Sequence, residues 1–157
     1  MSNDRKAHWL TLFLKVYGIG CILLFTTLFL AFAMRLPVID HGGLLNWAIW
    51  DDVRDHVGPM LFAIYIVWGV FLFRASRDLQ KNASFLDFTI WANLAHGVLM
   101  VFQTTASHHD FLKIFTDVPW ILAAPLVIGG LRGAYSSSRH GELDQPGSAQ
   151  SQGLPAA

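Results

Sequence analysis

Four polar side chains and one methionine recur at helical spacing within the otherwise apolar run FLDFTIWANLAHGVLMVFQTT, residues 85–105. Steps of four, three, four and three residues separate them, so on an α-helix they share one face: Thr89, Asn93, His96, Met100 and Gln103. Polar groups at membrane depth need partners, so this face should point into a helix bundle. Hydrogen bonds to neighbouring helices would satisfy them. The alternative is a cofactor, quinone or proton-relay site formed by Asn93, His96 and Gln103.

A second set of side chains has the chemistry of metal ligands. Asp52 and His56 are four residues apart, which places both on one side of a helix, and His108 and His109 follow the run 85–105. Imidazole with carboxylate suits zinc, copper or iron. One hypothesis is therefore a metal site with an oxidoreductase-type function. The other is a solvated acidic surface that carries incidental histidines.

The composition indicates a membrane protein of one domain. Of the 157 residues, 54% are hydrophobic and 14% are charged, whereas a soluble domain averages about 25% charged residues. Lys and Arg together number 11, as do Asp and Glu, so no net charge attracts nucleic acid. The single cysteine, Cys21, excludes an intrachain disulfide and a CxxC redox pair.

The apolar runs predict an all-α polytopic membrane protein, an antiparallel four-transmembrane-helix bundle. About 20 apolar residues cross the hydrocarbon core of a bilayer. The predicted spans are residues 9–34, 57–73, 85–105 and 118–131, within a transmembrane domain of residues 9–133. Residues 1–8 are predicted to form a cytoplasmic N-terminus, and residues 134–157, rich in Ser, Gly, Gln, Pro and Ala, are predicted to form a disordered cytoplasmic tail.

Local signals predict how these helices begin and connect. Ser84 and Asp87 resemble a capping box, which starts the third helix near Ser84. Asp117 is a candidate N-cap, and Pro119 suits the first turn after it. Trp47 and Trp50 favour the headgroup layer, so residues 44–56 predict a short interfacial helix between spans one and two.

The distribution of Lys and Arg predicts the orientation. With four spans, the two termini and the loop after span two lie on one side, which carries seven of these residues: Arg5, Lys6, Arg74, Arg77, Lys81, Arg132 and Arg139. The opposite side carries three: Arg35, Arg54 and Lys113. Basic residues favour the cytoplasm, so both termini are expected there, in a multi-pass protein of a plasma or bacterial inner membrane.

A secretory signal peptide is the competing interpretation of the first span. Arg5 and Lys6 provide a basic segment, and Ala31-Phe32-Ala33 forms an A-x-A cleavage motif. The apolar stretch is long for a signal peptide and contains Lys15. These features favour an uncleaved span.

Residues 59–131 resemble a group of small bacterial integral membrane proteins that forms a domain-of-unknown-function family. The most specific parts are GVFLFRASRD, the His96-Gly97 step followed by Gln103, and the DVP that opens the last span. The resemblance implies a four-helix architecture and no particular activity.

No complete catalytic constellation occurs in the sequence, which has no GxGxxG, P-loop or GxSxG motif. No catalytic residue and no cofactor can be named from it. The leading hypothesis is a non-enzymatic accessory or structural membrane subunit. Its expected partners are the lipid bilayer and either copies of itself or a larger membrane complex.

Overall fold

The computed structural model describes residues 2–40, 42–46, 57–106 and 114–133. Within these ranges the chain forms four α-helices and no strand, so the all-α prediction is confirmed. The helices are α1 (Asn3–Ala33), α2 (Val57–Ala75), α3 (Ala83–Ala106) and α4 (Asp117–Gly130). A 3-10 turn, Pro37–Ile39, follows α1.

Three of the helices, α1 to α3, are long and apolar enough to cross a membrane. The fourth, α4, has 14 residues, and a helix of that length extends about 21 Å. The hydrocarbon core of a bilayer is about 30 Å thick. By length alone, α4 is therefore the exception among the four helices.

The first residues of α3 and α4 differ slightly from those predicted from the sequence, as the hydrogen bonds at the helix starts show. Ser84 lies inside the first turn of α3, and the amide of Leu86 donates to the carbonyl of Asn82 (3.0 Å). Asp117 is the first residue of α4, and Thr116 takes the N-cap position. Ser84 is thus the second residue of α3 and Asp117 the first residue of α4, so both predicted caps lie inside the helices. Of the predicted interfacial helix, residues 44–46 form turns, and residues 47–56 lie outside the described ranges.

A contact between two glycines, Gly18 of α1 and Gly69 of α2, brings the backbones of these helices together. A Cβ built on Gly18 would lie 2.8 Å from the carbonyl oxygen of Gly69, and one built on Gly69 would lie 2.7 Å from the carbonyl oxygen of Gly18. The two backbones therefore touch where neither residue has a side chain. Small residues at such crossings are typical of membrane helices, whose association depends on close packing.

A second glycine contact joins α3 and α4. A Cβ on Gly97 would overlap the side chain of Leu122. At one end of this pair, the Arg132 guanidinium lies 3.0 Å from the Asp87 carboxylate. From the Gly97–Leu122 contact to the Asp87–Arg132 pair, residue numbers fall along α3 and rise along α4. The two helices of this pair run in opposite directions.

Side chains close the remaining gaps around the helices. Large side chains fill the space between α2 and α3, where the rings of Phe71 and Phe85 lie 5.9 Å apart. Between α4 and α1 the rings of Trp120 and Tyr17 stack at 4.9 Å. The largest buried cluster draws on all four helices, with members such as Leu14, Leu72, Leu86 and Ala124.

Gly69→Ala is expected to destabilise the protein, because the new methyl group would meet the Gly18 carbonyl oxygen and the Ile22 Cγ1 at 2.9 Å. Overpacking of this kind costs about 1–3 kcal/mol, and backbone atoms cannot rotate away. Thermal unfolding in detergent should show a lower Tm. Gly130→Ala is the matched control, because nothing lies within 4 Å of a Cβ there. Equal Tm values for the two variants would contradict the packing argument.

Candidate functional site

The buried face of α3 carries most of the polar residues expected there. Thr89 is 0% exposed, Asn93 3% and Thr104 1%, and Met100 lies beside them at 5%. With the buried Gly97 between Asn93 and Met100, these residues recur every three or four positions, which is the spacing of one helical face. His96 is half-buried at the margin of this face.

Gln103 does not belong to the buried face, and the expectation that it points inward is wrong. Its side chain is exposed. At 3.6 residues per turn, Gln103 lies roughly a quarter turn from the centre of the face that Asn93, Gly97 and Met100 occupy. A strict step of seven residues drifts around a straight helix. The three side chains of Asn93, His96 and Gln103 do not all lie on the buried face of α3. Cofactor binding by these residues stays a prediction.

Tyr65 of α2 is the hydrogen-bond partner of His96. Its hydroxyl lies 2.6 Å from His96 Nδ1, and which group donates depends on the imidazole tautomer. The described residues provide no partner for His96 Nε2. A tyrosine and a histidine in this arrangement can hold a structural bond or pass a proton between them.

Two further bonds use the polar groups of the buried face. The Trp68 indole N–H donates to the Thr89 hydroxyl (3.2 Å). The Asn93 amide donates to the Thr89 carbonyl (2.9 Å), a bond within α3. Thr89, Asn93 and His96 are thus all engaged by protein groups, and two of the three bonds connect α2 to α3.

The two aromatic residues that form the hydrogen bonds between α2 and α3, Tyr65 and Trp68, belong to one stack of rings. The ring of Tyr65 stacks on Phe25 of α1 (4.6 Å between centroids) and on Trp68 of α2 (5.8 Å). Trp68 also stacks on Phe88 of α3 (6.0 Å). Each such pair contributes about 0.5–1.5 kcal/mol beyond burial. The stack therefore spans the gap between α2 and α3 and orients the two polar atoms that cross it.

A second aromatic group connects α1 to α4. Tyr17 stacks between Phe13 (5.2 Å) and Trp120 (4.9 Å), and its hydroxyl donates to the Trp120 carbonyl (2.8 Å). The sequence interpretation missed both Tyr17 and Tyr65. The available signal was a tyrosine in the middle of an apolar span, because a buried hydroxyl almost always has a hydrogen-bond partner.

The predicted metal ligands lie outside the described ranges. Asp52, His56, His108 and His109 all fall within residues 47–56 or 107–113, so a metal site formed by them stays a prediction. In the parts of the chain that the structure describes, no group of three or more His, Cys, Asp or Glu side chains is placed to hold a metal ion.

The structure defines a class: an all-α protein with three helices long and apolar enough to cross a membrane, whose helices are joined by glycine contacts and by hydrogen bonds from aromatic side chains. Residues 22–145 match the family of unknown function designated DUF6632. The match covers most of the chain, so the protein belongs to this family, and the expected membership of a domain-of-unknown-function family is confirmed. No curated protein and no solved structure matches the chain significantly.

The Tyr65–His96 bond should stabilise the protein by about 0.6–2 kcal/mol, the range for hydrogen bonds between membrane helices. Tyr65→Phe, His96→Leu and the double variant form a double-mutant cycle, read by reversible unfolding in detergent. The expected result is a double variant less destabilised than the two single variants added together. Gln103→Ala is the control on the same helix. Its exposed side chain should contribute less than about 0.5 kcal/mol, and strictly additive single variants would contradict the bond.

Proposed function

We propose that this protein is a non-catalytic accessory or structural subunit of a membrane assembly, built as a four-span antiparallel bundle. The observation that carries the proposal is the engagement of Thr89, Asn93 and His96 by groups of the same chain. Polar residues inside membrane spans are commonly retained for substrate, ion or proton pathways. In this chain the polar side chains of α3 form hydrogen bonds with neighbouring protein groups. Such bonds stabilise the packing of helices, as expected of a structural subunit.

The four-span arrangement is supported by contacts along α4. Its Trp120 end stacks on Tyr17 in the middle of α1, and at its other end Gly133 lies near Lys6 Nζ, close to the start of α1. A helix that runs beside a spanning helix for this distance shares its membrane depth. A hydrophobic stretch shorter than the bilayer is accommodated by local thinning and snorkelling, at a modest cost.

Cysteine labelling tests the arrangement and the predicted cytoplasmic termini. In a Cys21→Ser background, single cysteines at Gln80, Thr116 and Gly133 report the α2–α3 turn, the start of α4 and the end of α4. We expect a membrane-impermeant maleimide to label Thr116→Cys in intact cells. Gln80→Cys and Gly133→Cys should react only after lysis. Labelling of Gly133→Cys together with Thr116→Cys in intact cells would contradict a fourth span.

The subunit role predicts a defined assembly. Native mass spectrometry of protein extracted in mild detergent should show either an oligomer of this chain or a stoichiometric complex with another membrane protein. The exposed Gln103→Ala variant serves as a matched control for the buried Tyr65→Phe variant. If the buried bond only maintains the bundle, folded Tyr65→Phe protein should assemble as Gln103→Ala does. A preparation that is monomeric, with neither oligomer nor partner, would contradict the proposal.

A second candidate is a small-ligand or proton-relay site at Tyr65 and His96. The observation that favours it is the 2.6 Å contact between their polar atoms, together with an imidazole that is only half-buried. The same native preparation distinguishes the two functions. A quinone or other small molecule bound in stoichiometric amount, and lost in folded His96→Leu protein, would favour this second candidate over the scaffold.

A further inference from the structure

The turn between α2 and α3 forms an open pocket of about 710 Å³ at one end of the helices. Its lining consists of three cationic side chains and one amide: Arg74, Arg77, Lys81 and Asn82. We propose that this pocket binds the phosphate group of an anionic phospholipid. The inference goes beyond the subunit role and would hold for either candidate function, because it concerns the surface of the chain and not the buried face of α3.

Within the described part of the chain, the charge of the pocket is not neutralised by a carboxylate. Among the described residues, no carboxylate lies within ion-pair distance of Arg74, Arg77 or Lys81, whereas the nearby Arg132 is paired with Asp87. Arginine side chains donate in a fork that matches phosphate oxygens, and lysine adds a point charge. Three cations that have no ion-pair partner in the described ranges surround one concavity, and they favour a group with two or more anionic oxygens.

The turn that presents these cations has a fixed geometry. The Asp78 carboxylate accepts a hydrogen bond from the Lys81 amide (2.9 Å), and the Asp78 carbonyl accepts one from the Asn82 side chain (2.7 Å). Arg77 lies over the ring of Phe73, 5.6 Å from its centroid. A site whose backbone is already ordered loses less conformational entropy when it binds a ligand.

An apolar track leads from the pocket along the outside of α2, and this track favours a lipid over a soluble phosphate. Arg74 follows Phe71 and Val70 at helical spacings of three and four, and Val67 continues the same face. All three apolar side chains are exposed: Val67 56%, Val70 41% and Phe71 51%. A phosphate held at Arg74 would place the acyl chains of its lipid along this track.

Lipid titration of the full chain in neutral detergent tests the assignment. Native mass spectrometry should show retention of phosphatidylglycerol and weaker retention of phosphatidylcholine with the same acyl chains. Each basic residue near an anionic membrane surface contributes roughly fivefold to binding. The variant Arg74→Gln/Arg77→Gln/Lys81→Gln should therefore lose at least about tenfold in affinity for phosphatidylglycerol.

The matched control removes the same charge elsewhere. Arg5→Gln/Lys6→Gln/Lys15→Gln loses three basic side chains of α1 and should retain most of the affinity. Equal losses in the two triple variants would overturn the proposal, because diffuse positive charge would then account for binding. Far-UV circular dichroism of both variants checks that they are folded.

Two measurements on the unaltered chain keep the proposal falsifiable if the pocket variant fails to fold. Equal retention of phosphatidylglycerol and phosphatidylcholine would overturn it. Inorganic phosphate and glycerol 3-phosphate, added at the concentrations used for the lipid, should displace little of it. Displacement as strong as that by phosphatidylglycerol itself would assign the pocket to a soluble phosphate and overturn the lipid assignment.

Discussion

The rest of the structure depends on the contact between the backbones of Gly18 and Gly69. No side chain separates α1 from α2 at this point, so the distance between these helices is set by backbone atoms and cannot relax by a change of rotamer. With α1 held there, Phe25 reaches the face of Tyr65. Tyr65 in turn directs its hydroxyl to His96. The polar contact between α2 and α3 thus rests on a glycine pair that joins α1 to α2.

Lipid removes the hydrophobic force that would hold helices together in water, so membrane helices associate through close packing and hydrogen bonds. This chain uses the two means at different interfaces. Glycine allows close approach within the pairs α1–α2 and α3–α4, and aromatic side chains with polar ends join α2 to α3 and α1 to α4. The hydrogen bonds of Tyr17, Tyr65 and Trp68 therefore join helices that the two glycine contacts do not bring together.

The sequence predicted the helices well because bilayer thickness imposes a length on apolar runs, and such runs are visible without a structure. It could not predict which glycines meet, because Gly18 and Gly69 are 51 positions apart and neither has a distinctive context. Asp87 was interpreted as a local cap, whereas its carboxylate pairs with Arg132 across 45 positions. Gln103 was misplaced because a repeat of seven was treated as a repeat of two exact turns. The candidate metal ligands lie outside the described residues.

The charged side chains near the turn between α2 and α3 have two different roles, and the difference indicates where a ligand could bind. Arg132 and Asp87 neutralise each other and connect α4 to α3. Arg74 at the end of α2 and Arg77 and Lys81 on the turn after it line a concave surface and have no ion-pair partner among the described residues. Inside the helices, Thr89, Asn93 and His96 are hydrogen-bonded to groups of the same chain. Recognition is therefore to be sought first at the ends of the helices, where charged groups remain available to a ligand.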